Sequence, residues 1–316
     1  MMKNIPSVDL SDFLSDDEKR KQKFINEIGK AYEEIGFVAL RGHFLSDELS
    51  EKLYEKVKAF FDLPEEIKES YEIDGIGGQR GYTSFGKESA KGRTEGDLKE
   101  FWHFGQEVVG NEKLKAEYPK NVEVGEVEGF NVIGMETYKM LEKTAIYVLR
   151  ALALYVDLDE FYFDKFVTNG NSILRPIHYP PIEGEPKGAV RAAAHGDINL
   201  ITLLMGASAS GLQVQNKQGE WIPVTALPEQ LVINVGDMLE RLTNNKLRST
   251  IHRVVNPPKE EWGKPRYSIP FFTHPISEMP LDCLSECISE AHPKNYEDIT
   301  AGEFLNERLK ELGLLK

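Results

Sequence analysis

Over the first part of the chain, apolar and polar residues alternate with the period of an α-helix. Phe24, Ile28 and Tyr32 lie at intervals of four residues, and Gly36 ends the run. Ser15-Asp16-Asp17-Glu18 has the form of a capping box, in which a serine and a glutamate three residues later satisfy the first backbone N–H groups of a helix. The pattern therefore predicts an amphipathic helix that begins at this motif.

Two further helices and a short strand are predicted before residue 165. Phe37-Val38-Ala39-Leu40 is an apolar run typical of a buried strand. A second helix begins near Ser46 and ends before Pro64, since proline cannot continue a helix. The segment from about 128 to 155 keeps apolar residues in helical register, which indicates a long central helix that backs a sheet.

From about residue 172 the pattern changes to short apolar runs separated by Gly, Pro and Asn turns. Many short strands without intervening helices are typical of a β-sandwich or barrel, whereas a parallel sheet needs crossover helices. A C-terminal helix follows, capped by Thr300-Ala301-Gly302-Glu303. The predicted strands span residues 172–179, 198–205, 211–215, 230–235, 247–255 and 265–273.

Composition limits the partners of the protein. The formal net charge of −14 argues against nucleic acid, because phosphate binding needs a basic surface. No apolar run approaches the roughly 20 residues that a membrane helix needs, and the N-terminal sequence lacks the apolar stretch of a secretory signal. We expect a cytoplasmic protein with no membrane partner, whose Cys283 and Cys287 are reduced thiols on one face of a helix.

His195-Gly196-Asp197 and the later His252 are the strongest candidates for chemistry. Two imidazoles and one carboxylate form the facial ligand set of non-haem iron(II) oxygenases, which leaves three metal positions for substrate and dioxygen. On an extended strand His195 and Asp197 would point to the same face, and His252 lies in a second predicted strand. A double-stranded β-helix, or jelly roll, would bring such strands together at the open end of its barrel.

The elements together predict a β-rich α+β protein, in which helices buttress a jelly-roll core. No internal repeat and no Ser- or Pro-rich linker divides the 316 residues. We therefore expect a single domain. Its parts would be a mainly helical N-terminal part over residues 1–165, a jelly-roll core with the metal site over 166–280 and a C-terminal helical extension over 281–316.

Arg266 and Ser268 form a second group of candidate site residues, downstream of His252. Alternation places both side chains on one face of an otherwise apolar strand. A guanidinium is costly to bury there unless an anionic group meets it. The small dicarboxylate 2-oxoglutarate would supply that anion.

On these motifs the chain resembles the iron(II)- and 2-oxoglutarate-dependent dioxygenases of the isopenicillin N synthase-like branch. The H-x-D, later H and R-x-S pattern of the branch occurs here in order, and the resemblance runs over nearly the whole chain. The supporting matches are Arg175-Pro176-Ile177-His178-Tyr179-Pro180-Pro181, Gly211-Leu212-Gln213-Val214 and Asn234-Val235-Gly236-Asp237.

The resemblance implies an oxidoreductase that oxidises an unactivated C–H bond of a small organic substrate, with release of succinate and CO2. The implied reaction is hydroxylation, with desaturation and cyclisation as variants. Fe(II), dioxygen and 2-oxoglutarate would be required, and ascorbate is a candidate reductant. The implied iron ligands, which are also the catalytic residues, are His195, Asp197 and His252, and the implied cosubstrate residues are Arg266, Ser268 and Tyr179.

Ile177 departs from the pattern, since several 2-oxoglutarate users of this branch have Asn at this position, two residues before the tyrosine. It keeps open an oxidase or cyclase on the same scaffold that does not use 2-oxoglutarate. A catalytically silent small-molecule binding protein is a second alternative. A zinc hydrolase is a third, and it would leave Arg266 and Ser268 unexplained.

Substrate contacts are expected from the Gly- and aromatic-rich segment 77–86 and from the sequence 97–104, because loops held over a rigid scaffold often bind ligands. The candidates are Arg80, Tyr82 and Phe101. Arg80, if it points inward, would favour a small-molecule substrate that bears a carboxylate.

Overall fold

The computed structural model describes residues 5–87, 97–186, 189–205, 211–225, 227 and 229–311. The α-helices in this part of the chain are α1 (Leu10–Phe13), α2 (Glu18–Glu34), α3 (Asp47–Phe61), α4 (Glu65–Glu69), α5 (Glu112–Glu117), α6 (Phe130–Tyr155), α7 (Asp164–Val167), α8 (Asp237–Leu242) and α9 (Ala301–Glu311). The strands are β1 (Ser7–Asp9), β2 (Phe37–Arg41), β3 (Gly81–Thr83), β4 (Glu100–Gly105), β5 (Ile173–Leu174), β6 (Ile177–Tyr179), β7 (Ala192–His195), β8 (Ile201–Met205), β9 (Leu212–Gln215), β10 (Trp221–Pro223), β11 (Leu231–Val235), β12 (His252–Val254) and β13 (Arg266–Thr273).

Two sheets form the centre of the molecule. The larger has the order β1-β2-β11-β8-β13-β5-β4-β3, with β6 paired to both β13 and β4, and the smaller has the order β10-β9-β12-β7. The first pair, β1 with β2, is parallel, and the strands around the site pair antiparallel. This arrangement confirms the predicted β-rich α+β fold with a jelly-roll core.

The strands of the larger sheet present one face to the smaller sheet and the other to the helices. On β2, Phe37 and Ala39 pack in a cluster with Val214 of the smaller sheet. Val38 and Leu40 belong instead to the core shared with the helices. This alternation follows from the strand period of two residues, and it turns the inner side chains of the larger sheet toward the smaller one.

The long helix α6 backs the outer face of the larger sheet, as predicted. Tyr138 of α6 meets Phe271 of β13 edge-on, with ring centroids 5.0 Å apart. Helices α2 and α3 pack against α6, and α2 also contacts β1 and β2. Phe60 of α3 stacks on Phe130 at the start of α6 with ring centroids 5.0 Å apart. The helices therefore hold the sheet rigid from one side.

The predicted helix starts near Ser46 and at Thr300 are confirmed. Ser46 is the N-cap of α3, and its side chain accepts a hydrogen bond from the backbone N–H of Leu49. Thr300 and Glu303 form a reciprocal capping box, in which each side chain accepts a hydrogen bond from the backbone N–H of the other.

The predicted capping box at Ser15 is wrong in register. Helix α2 begins at Glu18, and its N-cap is Asp17, whose carboxylate accepts from the backbone N–H of Lys19. Ser15 accepts from the backbone N–H of Asp17 instead. An aspartate two residues after the serine is an equally good cap, and it starts the helix later.

Three strand and helix predictions also need correction. The run 172–179 is two strands, because Pro176 has no N–H to donate to a neighbouring strand. Within 247–255 only His252–Val254 is a strand. Cys283 and Cys287 do not share a helix, since only a short 3-10 turn at Ser285–Cys287 forms there, and both are free thiols. The mainly helical N-terminal part also contains strands β1 to β4.

Candidate metal centre and anion pocket

His195 and His252 lie directly opposite each other on neighbouring strands. His195 ends β7, His252 begins β12, and the two are partners in the antiparallel register. Their ring centroids are 4.5 Å apart. Asp197 Oδ1 lies 3.9 Å from His195 Nε2 and 3.7 Å from His252 Nε2. The three ligand atoms lie within 4.8 Å of one another, close enough for one metal ion to bind them all after small side-chain movements.

Asp197 does not lie on the strand of His195, contrary to the extended H-x-D geometry considered from the sequence. Strand β7 ends at His195, and the chain turns so that the carbonyl of Asp197 accepts from the backbone N–H of Asp237 at 2.7 Å. A Cβ at Gly196 would lie 3.1 Å from Asp237 Oδ1 and 3.3 Å from Ser249 Oγ. Glycine therefore leaves room for this close approach.

Both imidazoles are oriented by their Nδ1 atoms. His195 Nδ1 lies 2.7 Å from the carbonyl of Ala193, and His252 Nδ1 lies 3.1 Å from the carbonyl of Thr250. A carbonyl can only accept, so each Nδ1 carries the proton and each Nε2 is left with its lone pair toward Asp197. This is the tautomer that a metal ion requires.

The two carboxylate oxygens of Asp197 have different neighbours. Its Oδ2 accepts from Thr202 Oγ1 at 2.6 Å and from Asn234 Nδ2 at 2.8 Å, while Oδ1 faces the imidazoles. Burial would raise the pKa of Asp197, but the hydrogen bonds from Asn234 and Thr202 act in the opposite direction, and the pKa is lowered. Oδ1 is thus held ionised and available for a cation.

The surroundings of the ring also affect the charge of His195, whose side chain is 41% exposed. Partial loss of solvent, followed by the proximity of His252, lowers the pKa of His195. At neutral pH the imidazole is therefore uncharged, as metal binding needs.

The anion pocket is formed by β13 and β6. Arg266 and Tyr179 are cross-strand partners, and the guanidinium carbon lies 5.0 Å from the centroid of the Tyr179 ring. Arg266 is 4% exposed, and its three guanidinium nitrogens have no hydrogen-bond acceptor among the described residues. Ser268, also buried, follows on the same face of β13. A buried cation in this state requires an anionic ligand.

Arg191 is a second cation in this pocket that sequence reasoning missed. It is 4% exposed, its guanidinium lies 5.9 Å from the Tyr179 ring centroid, and its NH2 group donates to the carbonyl of Lys264. Burial and then the proximity of Arg266 lower the pKa of Arg191. The sequence feature that could have identified Arg191 is its position four residues before His195. This short spacing brings both side chains to the same interior.

The predicted substrate residues do not lie together. Phe101 faces the interior, where it packs with Ile177 and Tyr179. Tyr82 pairs with Trp102 and so lies on the opposite face of the sheet, where its hydroxyl donates to Glu100.

Arg80 also lies away from the anion pocket. Its side chain is fully buried against Gly105, where an added Cβ would come within 1.8 Å of the guanidinium carbon, and its NH1 group donates to the carbonyl of Gln79 at 2.7 Å. Burial lowers the pKa of Arg80 to about 10, and the ionisable groups that act on it are Tyr138 and Tyr118 rather than the metal ligands. Close packing against Gly105 accounts for the position of Arg80, while its Nε and NH2 groups have no acceptor among the described residues.

Comparison with known proteins agrees with this geometry. Residues 170–275 match the 2OG-Fe(II) oxygenase superfamily, and residues 5–123 match the N-terminal region of the non-haem dioxygenase in morphine synthesis. A 2-oxoglutarate-Fe(II) type oxidoreductase of Aspergillus fumigatus is 30% identical, over 96% of this chain and 92% of its own. The chain belongs to the 2OG-Fe(II) oxygenase superfamily. Leucoanthocyanidin dioxygenase of Malus domestica is 33% identical, over 96% of this oxygenase and 83% of the relative.

Solved structures resemble this oxygenase over almost its full length. A 2OG-Fe(II) oxygenase family protein of Caulobacter crescentus has a TM-score of 0.88 and 44% identity, covering 98% of this chain and 99% of its own. A full-length protein of Neurospora crassa, solved in complex with alpha-KG, has a TM-score of 0.84 and 33% identity, covering 97% and 96%. These relatives and the site confirm an Fe(II)- and 2-oxoglutarate-dependent oxidoreductase that hydroxylates its substrate.

The remaining composition-based prediction concerns the membrane. Among the described residues, no helix is long and apolar enough to span a bilayer.

Proposed function

We propose that His195, Asp197 and His252 are the Fe(II) ligands of this oxygenase. The proposal is supported by the convergence of two Nε2 atoms and one carboxylate oxygen, with the other polar atoms of all three side chains hydrogen-bonded elsewhere. Fe(II) bound there together with 2-oxoglutarate supplies the activation of dioxygen that oxidises a C–H bond, with release of succinate and CO2. The protein's part is to fix the ligand geometry and to exclude water.

We propose further that the distal carboxylate of 2-oxoglutarate binds Arg266, Ser268 and Tyr179, with Arg191 as an additional donor. The single observation that carries this assignment is the fully buried guanidinium of Arg266, which has no acceptor among the described residues. Two guanidinium groups that share one tyrosine ring repel each other, and an anion between them removes that repulsion.

The enclosing surface favours a dry site. Ile177 and Phe101 pack beside Tyr179 on the inner face of the sheet, so apolar side chains border the anion pocket. A low-dielectric boundary of this kind strengthens the attraction between guanidinium and carboxylate. Ile177, which departs from the family pattern, packs beside Tyr179 and would border the bound cosubstrate.

The test combines binding and turnover. Purified protein is titrated anaerobically with Fe(II) and then with 2-oxoglutarate, and dioxygen uptake and succinate are measured during a substrate screen. We expect His195→Ala and Asp197→Ala to lose Fe(II) binding and turnover. Arg266→Met should weaken 2-oxoglutarate binding by about 10- to 100-fold, since a charge-assisted hydrogen bond contributes roughly 1.5–3 kcal/mol. Arg191→Met should weaken it less, because Arg266 remains.

Arg253 provides the matched control. Its guanidinium also lies over an aromatic ring, that of Trp221, and its Nε donates to Gln213, but it occupies the face of β12 opposite His252. Arg253→Met should leave both affinities unchanged. Unaltered Fe(II) binding by His195→Ala would refute the ligand assignment. Dioxygen uptake without 2-oxoglutarate would favour the oxidase alternative, and binding without uptake across the screen would favour a silent binding protein.

We propose a small organic molecule as the substrate. The full-length Neurospora crassa protein, solved also in complex with alpha-KG and thymine, is 32% identical in that complex with a TM-score of 0.85, and its ligand is of that size. The net charge of −14 does not favour nucleic acid as a partner. We also propose a cytoplasmic location, supported by the two free cysteines and testable by cell fractionation.

A further inference from the structure

Strand pairing holds the two candidate histidine ligands together but does not hold Asp197. His195 and His252 are direct partners in the register of β7 and β12. Asp197 lies beyond the end of β7, in the turn that follows. Its hydrogen bonds from Thr202 and Asn234 orient the carboxylate, but both donors belong to the larger sheet. A further contact is needed to set the position of Asp197 relative to His252, which belongs to the smaller sheet.

Helix α8 holds the backbone at Asp197. The backbone N–H of Asp237, the first residue of this helix, donates to the carbonyl of Asp197 at 2.7 Å. The next N–H, that of Met238, donates to the carbonyl of Ile198 at 3.1 Å. The first N–H groups of a helix have no acceptor within the helix, so they are available for such contacts. The turn that carries Asp197 is thus attached to the start of α8.

The side chains of α8 hold the segment that leads to His252. Asp237 Oδ1 accepts from Ser249 Oγ at 2.6 Å, and Glu240 Oε1 accepts from the backbone N–H of Ser249 at 3.0 Å. The next residue is Thr250, whose carbonyl lies 3.1 Å from His252 Nδ1. Asp237 therefore contacts the segments of two candidate ligands, one through its backbone and the other through its side chain.

The hydrogen bond between Asp237 and Ser249 also lies against Gly196, the residue between His195 and Asp197. A Cβ at Gly196 would be 3.1 Å from Asp237 Oδ1 and 3.3 Å from Ser249 Oγ, the two atoms that form this bond. Both separations are shorter than the usual contact distance of about 3.5–4.0 Å between carbon atoms. The segments that carry all three candidate ligands therefore meet at one hydrogen bond.

We propose that Asp237 and Ser249 are positioning residues of the iron site. Their hydrogen bond fixes the carboxylate ligand at its distance from the imidazole of His252, which is 3.7 Å between Asp197 Oδ1 and Nε2. Outer contacts of this kind strengthen metal binding, because the ligands then need no further ordering when the metal enters. This inference rests on the proposed iron site, and it assigns a role to the last residue of the motif 234–237.

The experiment measures metal binding and the geometry of the site. The full-length protein is titrated anaerobically with Fe(II), and separately with Co(II), whose visible absorption bands report the arrangement of its ligands. We expect Asp237→Ala and Ser249→Ala each to weaken Fe(II) binding by about tenfold or more and to change the Co(II) spectrum. Asp237→Asn keeps an oxygen that can accept from Ser249, so it should keep most of the affinity and the wild-type spectrum.

A double variant tests whether the two residues act through one bond. In that case Asp237→Ala combined with Ser249→Ala should weaken Fe(II) binding no more than the more severe single variant does. Losses that multiply in the double variant would show that the residues act separately, and they would overturn the inference.

Asp164→Ala is the matched control for stability. Asp164 accepts two hydrogen bonds from Arg150, which joins α7 to α6 away from the candidate ligands. Its loss should lower the melting temperature of the metal-free protein and leave Fe(II) affinity and the Co(II) spectrum unchanged. The same result in Asp237→Ala and Ser249→Ala would mean a merely structural role, and it would overturn the inference.

The wild type separates this inference from the iron site itself. If the wild type binds Fe(II) and the two alanine variants bind it equally well, only the positioning role is refuted. If the wild type does not bind Fe(II), the iron site is refuted and the positioning role with it.

Discussion

At the scale of single residues, the side chains that donate hydrogen bonds to Asp197 fix the geometry of the candidate metal site. Thr202 and Asn234 both donate to Oδ2, which leaves Oδ1 as the oxygen that faces His195 and His252. Without these donors the carboxylate could rotate and offer either oxygen. The two donors therefore set the geometry of the ligand without touching the metal.

Thr202→Val should weaken Fe(II) binding about 10- to 100-fold, the usual cost of losing a group that orients a metal ligand. The substitution keeps the shape of the side chain and removes only the hydroxyl. Anaerobic metal titration measures the effect. Thr273→Val is the control, because Thr273 is equally buried on β13 and its hydroxyl has no partner among the described residues. Equal Fe(II) affinity in both variants would show that Thr202 does not orient Asp197.

At the scale of elements, the crossing of α2 and α6 shows how closely the helices are packed. A Cβ at Gly29 of α2 would lie 2.2 Å from the ring of Tyr155 at the end of α6. Glycine is unfavourable within a helix by about 1 kcal/mol relative to alanine, yet here it lets two helices approach. Its presence in α2 thus reflects tertiary packing and not helix propensity.

Gly29→Ala should destabilise the protein by about 1–3 kcal/mol, because the clash with Tyr155 outweighs the gain in helix propensity. Urea unfolding followed by circular dichroism measures the change in the free energy of unfolding. Tyr155→Leu in the same chain should recover part of the loss, since it removes the ring that the new methyl group meets. An alanine variant more stable than the wild type would contradict the close crossing.

At the scale of the whole molecule, one apolar core connects the three parts expected from the sequence. The same cluster contains Phe24 and Phe60 from the N-terminal helices, Leu203 from the jelly roll, and Leu281 and Phe304 from the C-terminal part. This continuity supports our proposal that residues 1–316 form a single domain. Unfolding would then be one cooperative transition, with coincident curves from circular dichroism and tryptophan fluorescence. Two separated transitions would contradict it.

The pH dependence of that transition should include a contribution from Glu142 on α6. Burial raises its pKa from 4.5 to about 7. A raised carboxyl pKa stabilises the fold below pH 4.5, and this stabilisation is lost as the pH rises toward 7. Glu142→Gln cannot ionise, so its stability relative to the wild type should increase by about 2 kcal/mol between about pH 5 and pH 8. Urea unfolding at both pH values measures this change. The control is Glu136→Gln, because Glu136 lies on the same helix and is exposed.

The sequence alone was informative where structure depends on neighbouring residues. The caps at Ser46 and Thr300 were predictable, because a cap is a contact between residues two or three positions apart. Periodicity predicted α6 and most strands of the core for the same local reason. The cap at Ser15 failed where two local acceptors, Ser15 and Asp17, competed for the helix start.

For the site, the order and spacing of His195, Asp197, His252 and Arg266 determined the family and its cofactors, since metal and anion chemistry restrict the residue types that can serve. Only the tertiary structure decided which other side chains join them. Arg191 meets the Tyr179 ring, on which Arg266 also lies, because segments far apart in sequence come together there, and Arg80 is buried against Gly105 instead. Register is a property of contacts between distant segments, and a single sequence does not state it.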